Sequence, residues 1–204
     1  TSDNAGDGTT TATVLADGNL PARLPLGIAS IEPDGGLPRA RAFEWIKALN
    51  ERKHLGFDDW RLARVDPING RSFEFNDGGN PVSWQNGSMD LGVNLSAAGT
   101  RFAGSTGSEL PYLFYNVFRS KAARNLQGEA QDTSANDHAP LRNLSAERYW
   151  TSRAYGDGGG ITFSFKDGAQ FAHQASTASN PDGGFRFGVI VLRSGDVQAA
   201  TNRP

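Results

Sequence analysis

The C-terminal part of the chain carries three segments whose residues favour β-strands, and these constrain the fold most. Within "GITFSFKDG" (160–168), Ile161, Phe163 and Phe165 point to one face of a strand, while Thr162 and Ser164 point to the other. The segments "RYWTSRAY" (148–155) and "GFRFGVIVLRSG" (184–195) flank it and are rich in aromatic and β-branched residues. We expect the three segments to form a small antiparallel sheet, which excludes an all-helical fold.

Two helices are predicted before this sheet. The clearer one runs from Pro38 to about Arg52, because proline suits the first helical position and Gly56 is a plausible stop. Its apolar stripe consists of Ala42, Trp45, Ile46 and Leu49, with Phe43 beside it. The second helix is predicted from Glu109 to about Lys121, and the apolar residues on its face are Leu110, Leu113, Phe114, Val117 and Phe118.

Together these elements predict an α+β domain with two helices, a small antiparallel sheet and long loops. Residues 59–65 ("DWRLARV") alternate and favour one more strand, in which Trp60 is expected to be buried, as are Tyr149 and Trp150. Residues 66–108 and 120–147 are polar insertions rich in Gly, Asn and Ser. Loops of that length are usually functional or disordered.

Composition excludes several classes of protein. A net charge of −2 and a pI of about 5.9 provide no basic field for nucleic acid. The absence of cysteine excludes disulfides and thiolate metal sites, and no apolar run reaches the ~20 residues of a membrane helix. Because the chain begins at Thr1, we expect either that an initiator and an export signal have been removed or that the sequence starts late. The protein is expected to be secreted or at the cell surface.

The first 19 residues are predicted to form an extended arm, followed by a main domain at 20–204. The arm's "TTTATVL" (9–15) favours a short strand. Such a strand could add to the exposed sheet edge of a neighbouring subunit, or lie along its own domain. The alternate residues assigned to this assembly role are Thr9, Thr11, Thr13 and Leu15.

The segment "AGDGTTTATVLA" (5–16) resembles the ATP-contacting segment of group I chaperonins. A phosphate loop, however, follows a strand and opens a helix. Here residues 17–21 ("DGNLP") interrupt any following helix, and no Walker lysine is present. We therefore attribute the similarity to coincidence and do not infer ATP binding.

The residue pattern does not indicate an enzyme. Asp58 and Asp59 are adjacent and would point to opposite faces, so they cannot flank one bond of a substrate. His54, His138 and His173 lack metal-ligand spacing and are expected at the surface or at helix ends. We expect a protein that is not an enzyme and that needs no cofactor.

Ligand-binding candidates lie in the polar loops. Trp84 is an unexpected aromatic residue in an insertion, and Tyr155 is similarly placed at a strand end. Asn86, Arg153 and Asp157 could hydrogen-bond hydroxyl or sulfate groups. The alternative is that the aromatic residues anchor their own loops. The oxygen-rich segments at 76–80, 155–160 and 180–184 suit either a loop calcium ion or ordinary Asx-turns.

The order of landmark motifs from about residue 17 onward resembles the domain at the C-terminus of the Lcl collagen-like bacterial adhesin. The matching motifs are "DGNLPARLPLG", "RAFEWIKALN", "LGFDDWRLARV", "ELPYLFYNVF", "RYWTSRAY", "ITFSFKDG" and "FGVIVLRSGDV". Ala63 and Ser194 depart from the family pattern, which usually has proline at both places. The resemblance implies a C-type-lectin-like fold, surface adhesion and binding of sulfated polysaccharide, often as an oligomer.

Two functions follow as hypotheses. The first is a glycan-binding adhesive module, which the resemblance implies. The second is a structural subunit of an extracellular assembly or filament, joined through the arm at 1–19. We expect a homo-oligomer, and a monomer or small closed oligomer would favour the adhesive module over the assembly subunit.

Overall fold

The computed structural model describes residues 36–75, 87–102, 108–138, 141, 144, 148–174 and 185–193. In these residues the chain forms helices α1 (Arg39–Glu51) and α2 (Glu109–Tyr112). The strands are β1 (Arg61–Leu62), β2 (Arg148–Ala154), β3 (Gly160–Ser164), β4 (Gln170–His173), β5 (Gly188–Val189) and β6 (Val191–Leu192). This content confirms the predicted α+β class. The arm at 1–19 lies outside the described residues, as do the four arm residues singled out above.

Four of the strands form one sheet in the order β4-β3-β2-β5, and β1 pairs with β6 in a second, two-stranded sheet. Strands β2 and β3 are antiparallel, with Tyr149 opposite Phe163 and Trp150 opposite Thr162. Strand β4 is antiparallel to β3 and was not predicted. Strand β5 runs parallel to β2, so the expectation of a wholly antiparallel C-terminal set is wrong. The last predicted strand is divided between the two sheets, because Ile190 separates β5 from β6.

Helix α1 confirms the first predicted helix almost to the residue. It buries Ala42, Trp45, Ile46 and Leu49, as the stripe predicts, whereas Phe43 is 41% exposed. The helix ends before the expected stop, because Lys53 adopts a left-handed conformation with φ of 47°. A short 3-10 turn (His54–Gly56) then leads to Trp60, whose indole N–H donates to the carbonyl of His54 at 3.1 Å.

The second predicted helix differs from expectation. Only α2 is α-helical, and the chain continues as a π-helix (Leu113–Val117), in which the Phe118 N–H donates to the Leu113 carbonyl at 2.9 Å. The wider turn lets two consecutive residues, Phe114 and Tyr115, enter the core. Val117, predicted to share the apolar face, is 52% exposed. The prediction for this residue is therefore wrong.

Two apolar cores lie on opposite faces of the four-stranded sheet, because neighbouring residues of a strand point to opposite faces. Tyr149 belongs to the core that contains Phe114 and Phe163. Trp150 belongs to the core formed with helix α1. The predicted burial of Trp60, Tyr149 and Trp150 is confirmed. Strand β3 is buried over its whole length, so the Thr162 face is as inaccessible as the Phe163 face.

Candidate functional site

An aromatic–arginine surface forms where strand β2 ends, and it consists of Phe73, Phe75, Arg153 and Tyr155. The Arg153 guanidinium carbon lies 4.0 Å from the centre of the Phe73 ring. The Phe73 and Phe75 rings stack with centroids 5.5 Å apart and an angle of 12° between their planes. Tyr155 meets Phe75 edge-on at 5.2 Å. The surface therefore joins an exposed cation to a row of three aromatic rings.

Strand β2 positions Arg153 and Tyr155 through an irregularity in its pairing with β3. The register shifts between Trp150 and Ala154, so three residues of β2 stand opposite one residue of β3. Arg153 lies in this bulge and is exposed. A tight turn follows, closed by the Tyr155 N–H donating to the Gly159 carbonyl at 3.2 Å. Asp157 lies in that turn and is exposed.

The segment that carries Phe73 is shaped by its own polar side chains. The Asn69 side-chain oxygen accepts from the N–H groups of Arg71 and Ser72 at 2.8 and 3.1 Å. Its amide donates to the Glu74 carboxylate at 2.8 Å. This Asx-type turn folds residues 69–74 into one compact loop.

Asp90 ties the same loop to the body of the domain. Its fully buried carboxylate accepts from the Ile68 N–H at 2.8 Å and, through its other oxygen, from the Glu74 N–H at 2.6 Å. Burial raises the pKa of Asp90 above its ordinary value and outweighs the two backbone hydrogen bonds, which lower it. The charge of Glu74 raises this pKa further, whereas that of Arg153 lowers it.

The arrangement suits recognition of an anionic ring compound. A planar guanidinium can donate two parallel hydrogen bonds to a carboxylate or sulfate group. The three half-buried rings beside it offer rigid apolar contact area with little conformational entropy to lose. Arg153 is held against Phe73 before any ligand arrives, which lowers the cost of ordering it.

The structure brings together some of the predicted site residues and adds others. Arg153 and Tyr155 lie in one surface, and Asp157 follows in the adjoining turn. Trp84 and Asn86 lie outside the described residues. Sequence reasoning missed Phe73 and Phe75, although both are aromatic residues in a polar insertion. The criterion that selected Trp84 would have selected them too.

Two of the histidines occupy positions that differ from expectation. His173 is half-buried against the rings of Phe185 and Phe187, at 4.9 and 4.6 Å, and its Nε2 lies 2.9 Å from the Thr162 hydroxyl. Burial, aided by the nearby charge of Arg148, lowers the pKa of His173 to about 4. His138 packs against Phe114 and other core rings. Neither is the surface or helix-end residue that was predicted.

Clusters of metal ligands and membrane-spanning helices are both absent from the part of the chain that the structure describes. No group of three or more His, Cys, Asp or Glu side chains that could hold a metal ion is found there. Of the three oxygen-rich segments, only 155–160 falls within that part. In the same part, no helix combines the length and apolarity needed to cross a bilayer.

Comparison with known proteins gives no match to any family model, curated protein or solved structure.

Proposed function

We propose that this chain is a non-enzymatic adhesive module that binds anionic polysaccharide through the aromatic–arginine surface. The single observation that carries the proposal is the Arg153 guanidinium held 4.0 Å above the Phe73 ring. Phe75 and Tyr155 extend this contact into a row of rings. The motif resemblance adds a C-type-lectin-like fold, a secreted or cell-surface location and a homo-oligomer to the proposal.

The proposal is supported by the two kinds of contact that the side chains of this surface offer, charged hydrogen bonds and apolar area. Arg153 supplies charge-assisted hydrogen bonds, which are about twice as strong as neutral ones and select for anionic groups. Phe73, Phe75 and Tyr155 supply apolar area for the carbon face of a sugar ring. Asp157 stands in the next turn, where its carboxylate can accept hydrogen bonds from sugar hydroxyls.

The proposal is tested by calorimetric titration of the protein with dextran sulfate and with uncharged dextran of the same length. We expect dextran sulfate to bind, with an affinity that falls as salt is raised, because ion pairs at the surface are screened. Arg153→Ala and Phe73→Ala should each weaken binding by about tenfold, a loss of ~1.4 kcal/mol.

The chain offers matched controls for both variants. Phe43 is another phenylalanine beneath an arginine, with the Arg39 guanidinium carbon 4.7 Å from its ring centre, and it is more exposed than Phe73. Arg101 is another exposed arginine over a ring, that of Phe102 at 5.3 Å. Phe43→Ala and Arg101→Ala should bind as the wild type does. Absence of binding by the wild type, or equal loss in all four variants, would overturn the proposal.

The same experiment includes a test for calcium. Repeating the titration with added calcium and with a chelator tests whether the loop at 155–160 uses the ion. An affinity that is the same in both conditions would assign its oxygens to ordinary turns.

A further inference from the structure

We propose that Asp90 is the positioning residue of the aromatic–arginine surface, fixing the loop that carries Phe73 and Phe75. The expected effect on binding rests on the proposed function. The positioning itself rests on contacts within the protein. Asp90 belongs to a different segment of the chain, 15 residues beyond Phe75.

Two oxygens of one carboxylate hold both ends of the loop. Ile68 precedes the turn at Asn69 and Glu74 lies between the two phenylalanines, and the N–H of each donates to a different oxygen of Asp90. The Asp90 N–H donates in return to the Glu74 carbonyl at 3.0 Å. Glu74 is therefore held at its N–H and its carbonyl, which fixes the backbone between Phe73 and Phe75.

Further hydrogen bonds hold the Asp90 segment against strand β4. The Asp90 carbonyl accepts from the Gln170 side-chain amide at 2.5 Å, and Gln170 is the first residue of strand β4. Gly92, two residues after Asp90, exchanges a pair of backbone hydrogen bonds with Gln170, both at 2.8 Å. The loop is thus tied through Asp90 to the edge of the four-stranded sheet.

The chemistry requires a carboxylate at this position. Asparagine has one acceptor oxygen, and its amide group would face one of the two N–H donors. A buried N–H left without an acceptor is costly, so that end of the loop is expected to separate from the anchor. The apparent affinity for a ligand is then multiplied by the fraction of molecules whose loop stays ordered.

The test compares Asp90→Asn with Asp132→Asn. Asp132 also accepts a backbone N–H, that of Ser134 at 2.9 Å, but in an exposed loop. For Asp90→Asn we expect hydrogen exchange at one of the two amides, Ile68 or Glu74, to accelerate by at least about tenfold, while helix α1 keeps its protection. Binding of dextran sulfate should weaken by about tenfold. Asp132→Asn should change neither.

A titration of the unaltered protein by proton–nitrogen NMR gives a readout that needs no variant. Both amide resonances, Ile68 and Glu74, should shift together with a single midpoint above 3.8, the ordinary pKa of an aspartate. Glu74 and Arg153 are the charged groups that act on Asp90, so Glu74→Gln and Arg153→Ala should move this midpoint down and up, respectively.

Each outcome decides a distinct point. Unchanged exchange at Ile68 and Glu74, separate midpoints for the two amides, or unfolding of the whole domain in Asp90→Asn overturns the positioning role. Unchanged affinity despite a released loop also overturns it, because the surface would then not need the anchor. A released loop in a protein whose wild type does not bind dextran sulfate supports the anchoring and refutes the proposed function instead.

Discussion

The ion pair between Arg61 and Glu109 joins strand β1 to the first residue of helix α2, and its removal by Glu109→Gln should lower stability measurably. Arg61 donates to both carboxylate oxygens, at 2.6 and 2.8 Å. One of these oxygens also accepts the backbone N–H of Arg64 at 2.7 Å. The Glu109 side chain is only 13% exposed, so water cannot replace these partners freely.

The expected loss is about 2 kcal/mol. Breaking a fully buried ion pair costs about 3–5 kcal/mol. Because Arg61 is partly exposed and glutamine keeps one acceptor oxygen, we expect a loss of stability below the lower end of this range. Unfolding in urea and by heating at pH 7 should show this loss and a fall in Tm of about 4–8 °C. The control is Glu44→Gln, which removes an exposed pair with Arg41 and should cost less than ~1 kcal/mol.

The loss of stability in Glu109→Gln should depend on pH. Burial alone would raise the pKa of Glu109, but the hydrogen bonds from Arg61 and Arg64 and the charges of both arginines outweigh it and lower the pKa. A lowered pKa in the folded state stabilises the protein above the ordinary value of 4.5, and this contribution disappears as pH falls through the folded-state pKa. The difference between wild type and Glu109→Gln should therefore shrink in acid. Equal stability of the two glutamine variants at pH 7, or a difference that persists in acid, would show that the Arg61–Glu109 ion pair does not stabilise the fold in this way.

Three further predictions concern the core and the sheet. In the urea unfolding assay, Gly168→Ala should cost more than ~2 kcal/mol, because φ is +72° and the new methyl would lie 2.5 Å from the Tyr115 hydroxyl. The control is Gly70→Ala, which has a similar φ of +69° but open space around it, and it should cost about half as much. Phe114→Ala should cost about 3–5 kcal/mol in that assay, because the ring is fully buried. His173 should titrate by NMR with a midpoint of about 4. Because this pKa is lowered on folding, its contribution makes the protein less stable as pH falls from 6.5 towards 4.

Helix α1 and strands β2 and β3 were predictable because their signals are local. The stripe Ala42, Trp45, Ile46 and Leu49 fits a helical period, and the residues of "ITFSF" alternate as a strand requires. In both cases each side chain's position follows from its neighbours a few residues away.

The π-helix and the parallel strand depend on distant partners. A helical period places Val117 on the apolar face, but Tyr115 is buried instead, because its hydroxyl donates to the Gly168 carbonyl and accepts the Asn94 N–H at 2.8 Å. Strand β5 runs parallel to β2, and the two strands are not adjacent in sequence. Strand pairing and π-turns of this kind leave no periodic signal.

The candidate site was predictable only in part for a similar reason. Arg153 and Tyr155 follow a recognisable strand, so their place at its end could be inferred. Their contacts with Phe73 and Phe75 join segments about 80 residues apart, and the anchor at Asp90 comes from a third segment. In sequence, that aspartate is one acidic residue among 22. Only its burial with two amide donors distinguishes it.

The most direct test of ligand binding at the aromatic–arginine surface is a proton–nitrogen NMR titration of the whole chain with short dextran sulfate. We expect the resonances that move saturably to belong to residues 71–75 and 153–157, with uncharged dextran moving none of them. Saturable shifts confined to other surfaces, such as those around Phe43 or Arg101, would contradict it, as would a spectrum that the sulfated chain leaves unchanged.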